Sequence, residues 1–226
     1  MKRLVTVVTA VALIAGLVGC GGSTPAGEAV TFPDPNLEAA VREVLNKPQG
    51  DIYASELARL RGLHAGGRDI QDLTGLEYCT KLENVNLPYN QISDLSPLAN
   101  LTSLLALNLA ENQIRDLFPL ADLTKLQALA LTQNQIDSIA PVVNLTSLSR
   151  LYLYSNQISD VSPLANLTNL TSVGLTTNQI SDILPLVQNE GLGTGDSVYL
   201  ADNPLNSDSI NIYIPELEAR GVTVQY

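Results

Sequence analysis

Apolar and asparagine positions that return every 22 residues constrain this chain more than any other feature. Leu82, Leu104, Leu126, Leu148 and Leu170 are spaced by that interval, and so are Asn90, Asn112, Asn134, Asn156 and Asn178. Pro97, Pro119, Pro141, Pro163 and Pro185 follow the same beat. A representative unit runs from Thr146 to Leu167, TSLSRLYLYSNQISDVSPLANL. A unit this short cannot bury its own apolar face, whereas stacked copies can, so the period predicts a solenoid whose stability is roughly a sum over neighbours. Five units keep the register. A degenerate one precedes them, with Leu60, Leu63 and Ile70 in phase and Arg68 at the asparagine position. A last one, ending at Asn203, carries three extra residues near Gly193-Thr194-Gly195.

Each position in the unit has a physical reason. Leu151 and Leu153 alternate with Tyr152 and Tyr154, the mark of a short strand with one face inward. Asn156 turns the chain after that strand, and its amide can satisfy backbone groups of adjacent coils, so that stacked asparagines form a ladder. Ile158, Val161, Leu164 and Leu167 recur at intervals of three, which suits a tight 3₁₀-like return, with Pro163 where no backbone donor is needed. With no Trp and only two Phe, the core must be stacked aliphatics.

These motifs resemble the bacterial internalin-type leucine-rich repeat, LxxLxLxxNxIxDLxPLxxL. The match covers residues 60–205, and its departures are local: Ser138 stands for the usual Asp, with Asp137 beside it, and Val142-Val143 stands for Leu-Ala. The resemblance implies an α/β fold, a right-handed leucine-rich-repeat solenoid with a parallel concave sheet, a 3₁₀ convex side and a helical N-terminal cap. It also implies binding of a protein, commonly on the concave face.

Caps are expected at both ends. Asp34-Pro35 is a helix start, and Leu37, Ala40, Val41, Val44 and Leu45 mark one helical face. Pro48-Gln49-Gly50 stops that helix, and a second short one is expected over Ser55–Leu60, so residues 32–59 form a helical cap. Residues 206–226 close the other end, with a helix over Ile214–Gly221 and a strand over Val222–Val224.

The N-terminus reads as an export leader, residues 1–19. Met1-Lys2-Arg3 is a positive start, and Leu4–Val18 is apolar but short of the roughly 20 residues a spanning helix needs. Leu17-Val18-Gly19-Cys20 resembles the bacterial lipobox, in which the cysteine carries the lipid. Gly21 rather than Asp follows, which by the same resemblance does not favour inner-membrane retention. Two or more acyl chains anchor stably, and residues 20–31, rich in Gly, Ser, Pro and Ala, read as a flexible tether. With Cys20 lipidated, Cys79 has no disulfide partner. The chain has 23 acidic and 12 basic residues, net −11, and loss of the leader removes two of the basic ones. This balance argues against nucleic acid and against electrostatic docking on anionic lipid.

The outward strand positions form the candidate surface. The central column reads His64, Asn86, Asn108, Ala130, Tyr152, Gly174, Tyr199, and most of its neighbours are small or polar. Arg150, Tyr152, Tyr154 and Tyr199 stand out, because Tyr and Arg are enriched in binding hot spots; the plainer reading is that Tyr favours exposed strand positions anyway. His64, the single histidine, has no partner at nucleophile spacing. Asp94, Asp116, Asp160 and Asp182 recur one coil apart, too far to share a calcium ion, and are expected to cap the convex turns. The Asn-Leu-Thr triplets at Asn100, Asn144, Asn166 and Asn169 arise from the repeat and are discounted as glycosylation acceptors. Gly191–Asp196 lacks the lysine and the helix of a phosphate loop. The chain is thus expected to be a monomeric, non-enzymatic recognition module without cofactor or metal, lipid-anchored on the extracytoplasmic side and binding a protein. A structural spacer of the cell envelope is the alternative.

Overall fold

The computed structural model describes residues 27–226. The expected leader, Cys20 and the first part of the tether lie outside the described residues. The elements run β1 (Ala29–Val30), α1 (Pro35–Leu45), β2 (Ile52–Tyr53), α2 (Ala54–Leu57), then strands β3 (Gly62–His64), β4 (Asn84–Asn86), β5 (Ala106–Asn108), β6 (Ala128–Ala130), β7 (Arg150–Tyr152) and β8 (Ser172–Gly174). They end with α3 (Leu184–Gln188), β9 (Ser197–Tyr199), α4 (Ile214–Ala219) and β10 (Thr223–Gln225). Strands β3 to β10 make one parallel sheet in chain order. The central inward residues Leu63, Val85, Leu107, Leu129, Leu151, Val173, Val198 and Val224 pair in sequence across it. The chain returns through 3₁₀ turns at Leu76–Tyr78, Ser96–Leu98, Phe118–Leu120, Ala140–Asn144 and Ser162–Leu164. Between sheet and turns the aliphatic columns are almost fully buried. The solenoid and its parallel sheet are those the 22-residue period predicts.

The asparagine ladder is continuous. Asn134 donates to the carbonyls of Leu131 in its own coil and Leu109 in the preceding one, and it accepts from the Ile114 amide. Asn90, Asn112, Asn156 and Asn178 make the same three kinds of bond, and so does Asn203, beyond the insertion. The residue before each of these asparagines is left-handed, from Tyr89 (φ 58) to Asp202 (φ 58), and that turn aims the amide back into the coil. On the convex side the aspartates cap the 3₁₀ turns: Asp94, Asp116, Asp160 and Asp182 each accept, at 2.8 Å, the amide two residues on. The Ser138 hydroxyl does so at 3.4 Å.

Several local expectations are corrected. The tether does not extend to residue 31: Ala29–Val30 pairs antiparallel with Ile52–Tyr53, which also makes the N-terminal cap part strand. Helix α1 buries Leu37, Ala40 and Val41, but Val44 is exposed; a left-handed Asn46, ahead of Pro48, ends the helix. The second helix spans Ala54–Leu57 rather than Ser55–Leu60. The final return is the α-helical α3 because Asn189 closes an i→i−4 bond to Pro185. Buried Asn189 then donates to the carbonyls of Leu164 and Leu167. A π turn, Ser209–Tyr213, precedes α4, and the last strand sits at Thr223–Gln225.

Both caps are stitched to the coils by side chains. One carboxylate oxygen of Asp34 accepts the amides of Asn36 and Leu37 at the start of α1, and the other accepts Gln71 and Asp72 from the first coil. Burial pushes its pKa up, but the four amide donors together outweigh burial and hold the carboxyl below its ordinary value. Arg68 grips Glu43 of α1 in a two-pronged pair at 2.9 and 2.7 Å. At the far end, Arg220 donates to the carbonyls of Val187, Asn189 and Leu192.

Candidate functional site

A three-residue strand exposes its first and third side chains on the concave face, and the residue two further on continues that face. In β7 this places Arg150, Tyr152 and then Tyr154 in a line, and β9 adds Tyr199. All four residues singled out from the sequence lie on this face, and its three tyrosines meet. The Tyr152 and Tyr154 rings stack at 5.9 Å with 15° between planes. Tyr154 and Tyr199 are 6.1 Å apart and tilted by 60°. All three rings are half-buried, while Arg150 is exposed and joins Tyr152 on the wall of a depression of about 410 Å³.

Tyr152 and Tyr199 belong to one column with β8 between them, so their link through Tyr154 depends on what β8 presents. It presents Gly174. A Cβ at Gly174 would lie 2.2 Å from the Tyr154 ring, so the missing side chain is the seat of that ring. Burial, together with the neighbouring Tyr199 and Tyr152, raises the Tyr154 pKa, and it stays a neutral phenol. Gly174 is a positioning residue that sequence reasoning did not pick out, although a glycine between two tyrosines in one column was the available sign. Tyr89 was also missed. It is 62% exposed on a left-handed backbone and lines a second depression, of about 450 Å³, with Glu111, Tyr152, Tyr154 and Tyr199. The sign was a tyrosine at a position that reads Glu111, Gln133, Ser155 and Thr177 in the following coils.

Towards the N-terminal cap, two asparagines of the face pair with each other. Asn108 donates to Asn86 at 2.7 Å and accepts the Ala110 amide. His64 is exposed on the far side of the first depression, away from Tyr152. Buried Cys79 has its thiol pushed up to about 12 by burial and by Glu77, which makes it a poor nucleophile. Among the described residues no three His, Cys, Asp or Glu side chains converge as a metal site. The arrangement offers aromatic faces, phenol hydroxyls and one guanidinium on a rigid sheet, the side-chain types enriched in protein-interface hot spots.

Comparison with known proteins agrees with this architecture. A family model described as leucine-rich repeats, two copies, matches residues 146–188. No curated protein matches the chain in sequence. The crystal structure of an internalin C2 from Listeria monocytogenes is 33% identical with a TM-score of 0.64, covering 86% of this chain and 94% of that one. A second internalin of the same species, inlF, is 30% identical with a TM-score of 0.67. The functional domain of its InlJ, described as including a cysteine ladder, is 26% identical with a TM-score of 0.70. This chain covers 62% and 42% of those two, aligned over 86% and 84% of its own length. With the 22-residue coil, the asparagine ladder and the helix-bearing cap all in place, the chain belongs to the internalin-like leucine-rich-repeat family.

Proposed function

We propose that this chain is a non-enzymatic recognition module that holds a protein partner against its concave sheet at Arg150, Tyr152, Tyr154 and Tyr199, displayed outside a bacterial membrane by a lipid on Cys20. The observation that carries the reading is the convergence of three tyrosines on the concave face, with the Tyr154 ring seated over Gly174 between the other two. Aromatic anchors that are already ordered lose little entropy when a partner covers them. Strand positions hold them more rigidly than a loop would. Solenoids bind through such extended concave surfaces. The anchor rests on the basic Met1-Lys2-Arg3, the apolar Leu4–Val18 and the Leu17–Cys20 motif. No helix among the described residues is long and apolar enough to cross a membrane.

Two measurements test the two halves. A photocrosslinking residue at position 152, on cells that make the protein, should capture one protein adduct that Tyr154→Ala and Tyr199→Ala abolish. The same probe at the convex Phe118 should not capture it. Adducts from both faces, or insensitivity to the tyrosines, would instead support the envelope-spacer reading. Mass spectrometry of the membrane fraction should find acylated Cys20, and an unmodified mature N-terminus at another residue would sink the anchor.

A further inference from the structure

β7 stands as a ridge on the concave sheet. Arg150 and Tyr152 project from it, and the residues paired with them on either side are small: Ala128 and Ala130 on β6, Ser172 and Gly174 on β8. The ridge therefore has a trough on each flank. The trough over Gly174 is filled by the chain's own Tyr154 ring. The trough over Ala128 and Ala130 is open. It extends over Ala106 to a wall made by Asn86 and Asn108, the depression of about 410 Å³. That wall is neutral and fixed by the bond between the two asparagines. The floor is made of methyl groups. Arg150 is the one Lys or Arg side chain on its lining, and among the described residues it joins no salt bridge.

Building on the concave-face reading above, we infer that the open trough takes an aromatic or branched aliphatic side chain of an extended peptide segment, with a carboxylate of that segment on Arg150. The molecule already contains the pattern for the first half. On one flank of β7 a ring lies over Gly174, and on the other an alanine floor bounded by Tyr152 lies open. A partner side chain laid there exchanges water on methyl groups for contact with methyl groups and an aromatic face. The second half follows from charge. An unpaired guanidinium offers a fork of donors that fits a carboxylate two-pronged. The chain as a whole carries net charge −11, which repels acidic partners at a distance. Selection of an acid is therefore local to Arg150 and should reverse when that one charge does.

Panning a random dodecapeptide library on the full chain, immobilised by its N-terminal segment, tests this. The chain should enrich peptides with Asp or Glu adjacent to Phe, Tyr, Leu or Ile. Arg150→Glu, at an exposed position that leaves the fold intact, should enrich Lys or Arg beside the same apolar residues. Ala128→Gln, which fills the trough from its floor, should weaken binding of the wild-type peptides by about tenfold, a difference of about 1.4 kcal/mol. No enrichment, no acidic preference, or the same motif from Arg150→Glu would each overturn the inference. Peptides that depend on Tyr152 and Tyr154 without acidic preference would overturn it while leaving the concave-face reading in place. Peptides indifferent to all of these residues would overturn both.

Discussion

The asparagine column and the concave column are carried by the same coils, yet one repeats and the other does not. From Asn90 to Asn203 the inner residue is the same in six coils, and its amide makes the same bonds. Across the same coils the concave column reads Asn86, Asn108, Ala130, Tyr152, Gly174 and Tyr199. The inner position repeats because stacking presents the same orphaned carbonyls and amide in every coil, and a buried polar group left unpaired is costly. The outer position meets no such polar demand from stacking; apart from Gly174, which must leave room for the Tyr154 ring, solvent reaches what stands there. Uniformity inside and variety outside divide the molecule into a part that sets stability and a part free to set recognition.

That division can be broken by experiment, and core leucines should show the largest effect. Leu151 lies beneath the ridge and is fully buried, so Leu151→Ala should cost about 2–5 kcal/mol in a chemical denaturation midpoint. In a chain of this size each kcal/mol lowers Tm by about 2–4 °C. Asn134→Leu keeps the branched heavy-atom shape but leaves the Ile114 amide without its acceptor and takes one of two asparagine donors from each of the Leu109 and Leu131 carbonyls. It should cost about 1–3 kcal/mol, and an unchanged melting point would contradict the ladder's role.

The N-terminal cap offers a pH-dependent version of the same comparison. Asp34 satisfies four amides with one carboxylate, so Asp34→Ala should cost about 0.5–2 kcal/mol near neutral pH. Its carboxyl is held below the ordinary 3.8, so the stability it contributes is complete above that value and is lost as the pH falls through the lower folded value. The gap in Tm between wild type and variant should therefore close as the pH is taken below 3.8. A gap that stays constant would mean that the variant lost packing rather than a charged cap.

Much of this was legible in the sequence because the period is self-checking. A residue such as Asn134 is interpretable when Asn112 and Asn156 stand 22 away on either side. The strand at Ala29–Val30 was not legible, since a two-residue strand has no alternation to read and exists only through its partner Ile52–Tyr53. The π turn before α4 was also hidden, because its place depends on buried Ser209 bridging the Ser181 carbonyl and the Ile183 amide of the coil below. At the site, the columns follow from the period and put Arg150, Tyr152 and Tyr199 on one face. That Tyr154 leans across Gly174 to touch Tyr199 is a matter of side-chain direction between strands, which residue spacing along one strand does not contain.

The smallest stability effect is expected where the largest effect on recognition is proposed. Arg150 is exposed, without an ion pair among the described residues, and paired in the sheet through backbone groups that any residue supplies. Arg150→Ala should therefore change stability by no more than about 0.5 kcal/mol, a shift in Tm of at most about 1–2 °C. Tyr154→Ala should cost more than this, because its ring fills the notch over Gly174 and leaving that notch empty forfeits contact with two other rings. The two substitutions separate charge from packing on one surface. If Arg150→Ala lowered Tm as much as Tyr154→Ala, the guanidinium would be a structural strut of the ridge, and its charge would share a stabilising role that otherwise belongs to buried leucines, the asparagine ladder and the seated Tyr154 ring.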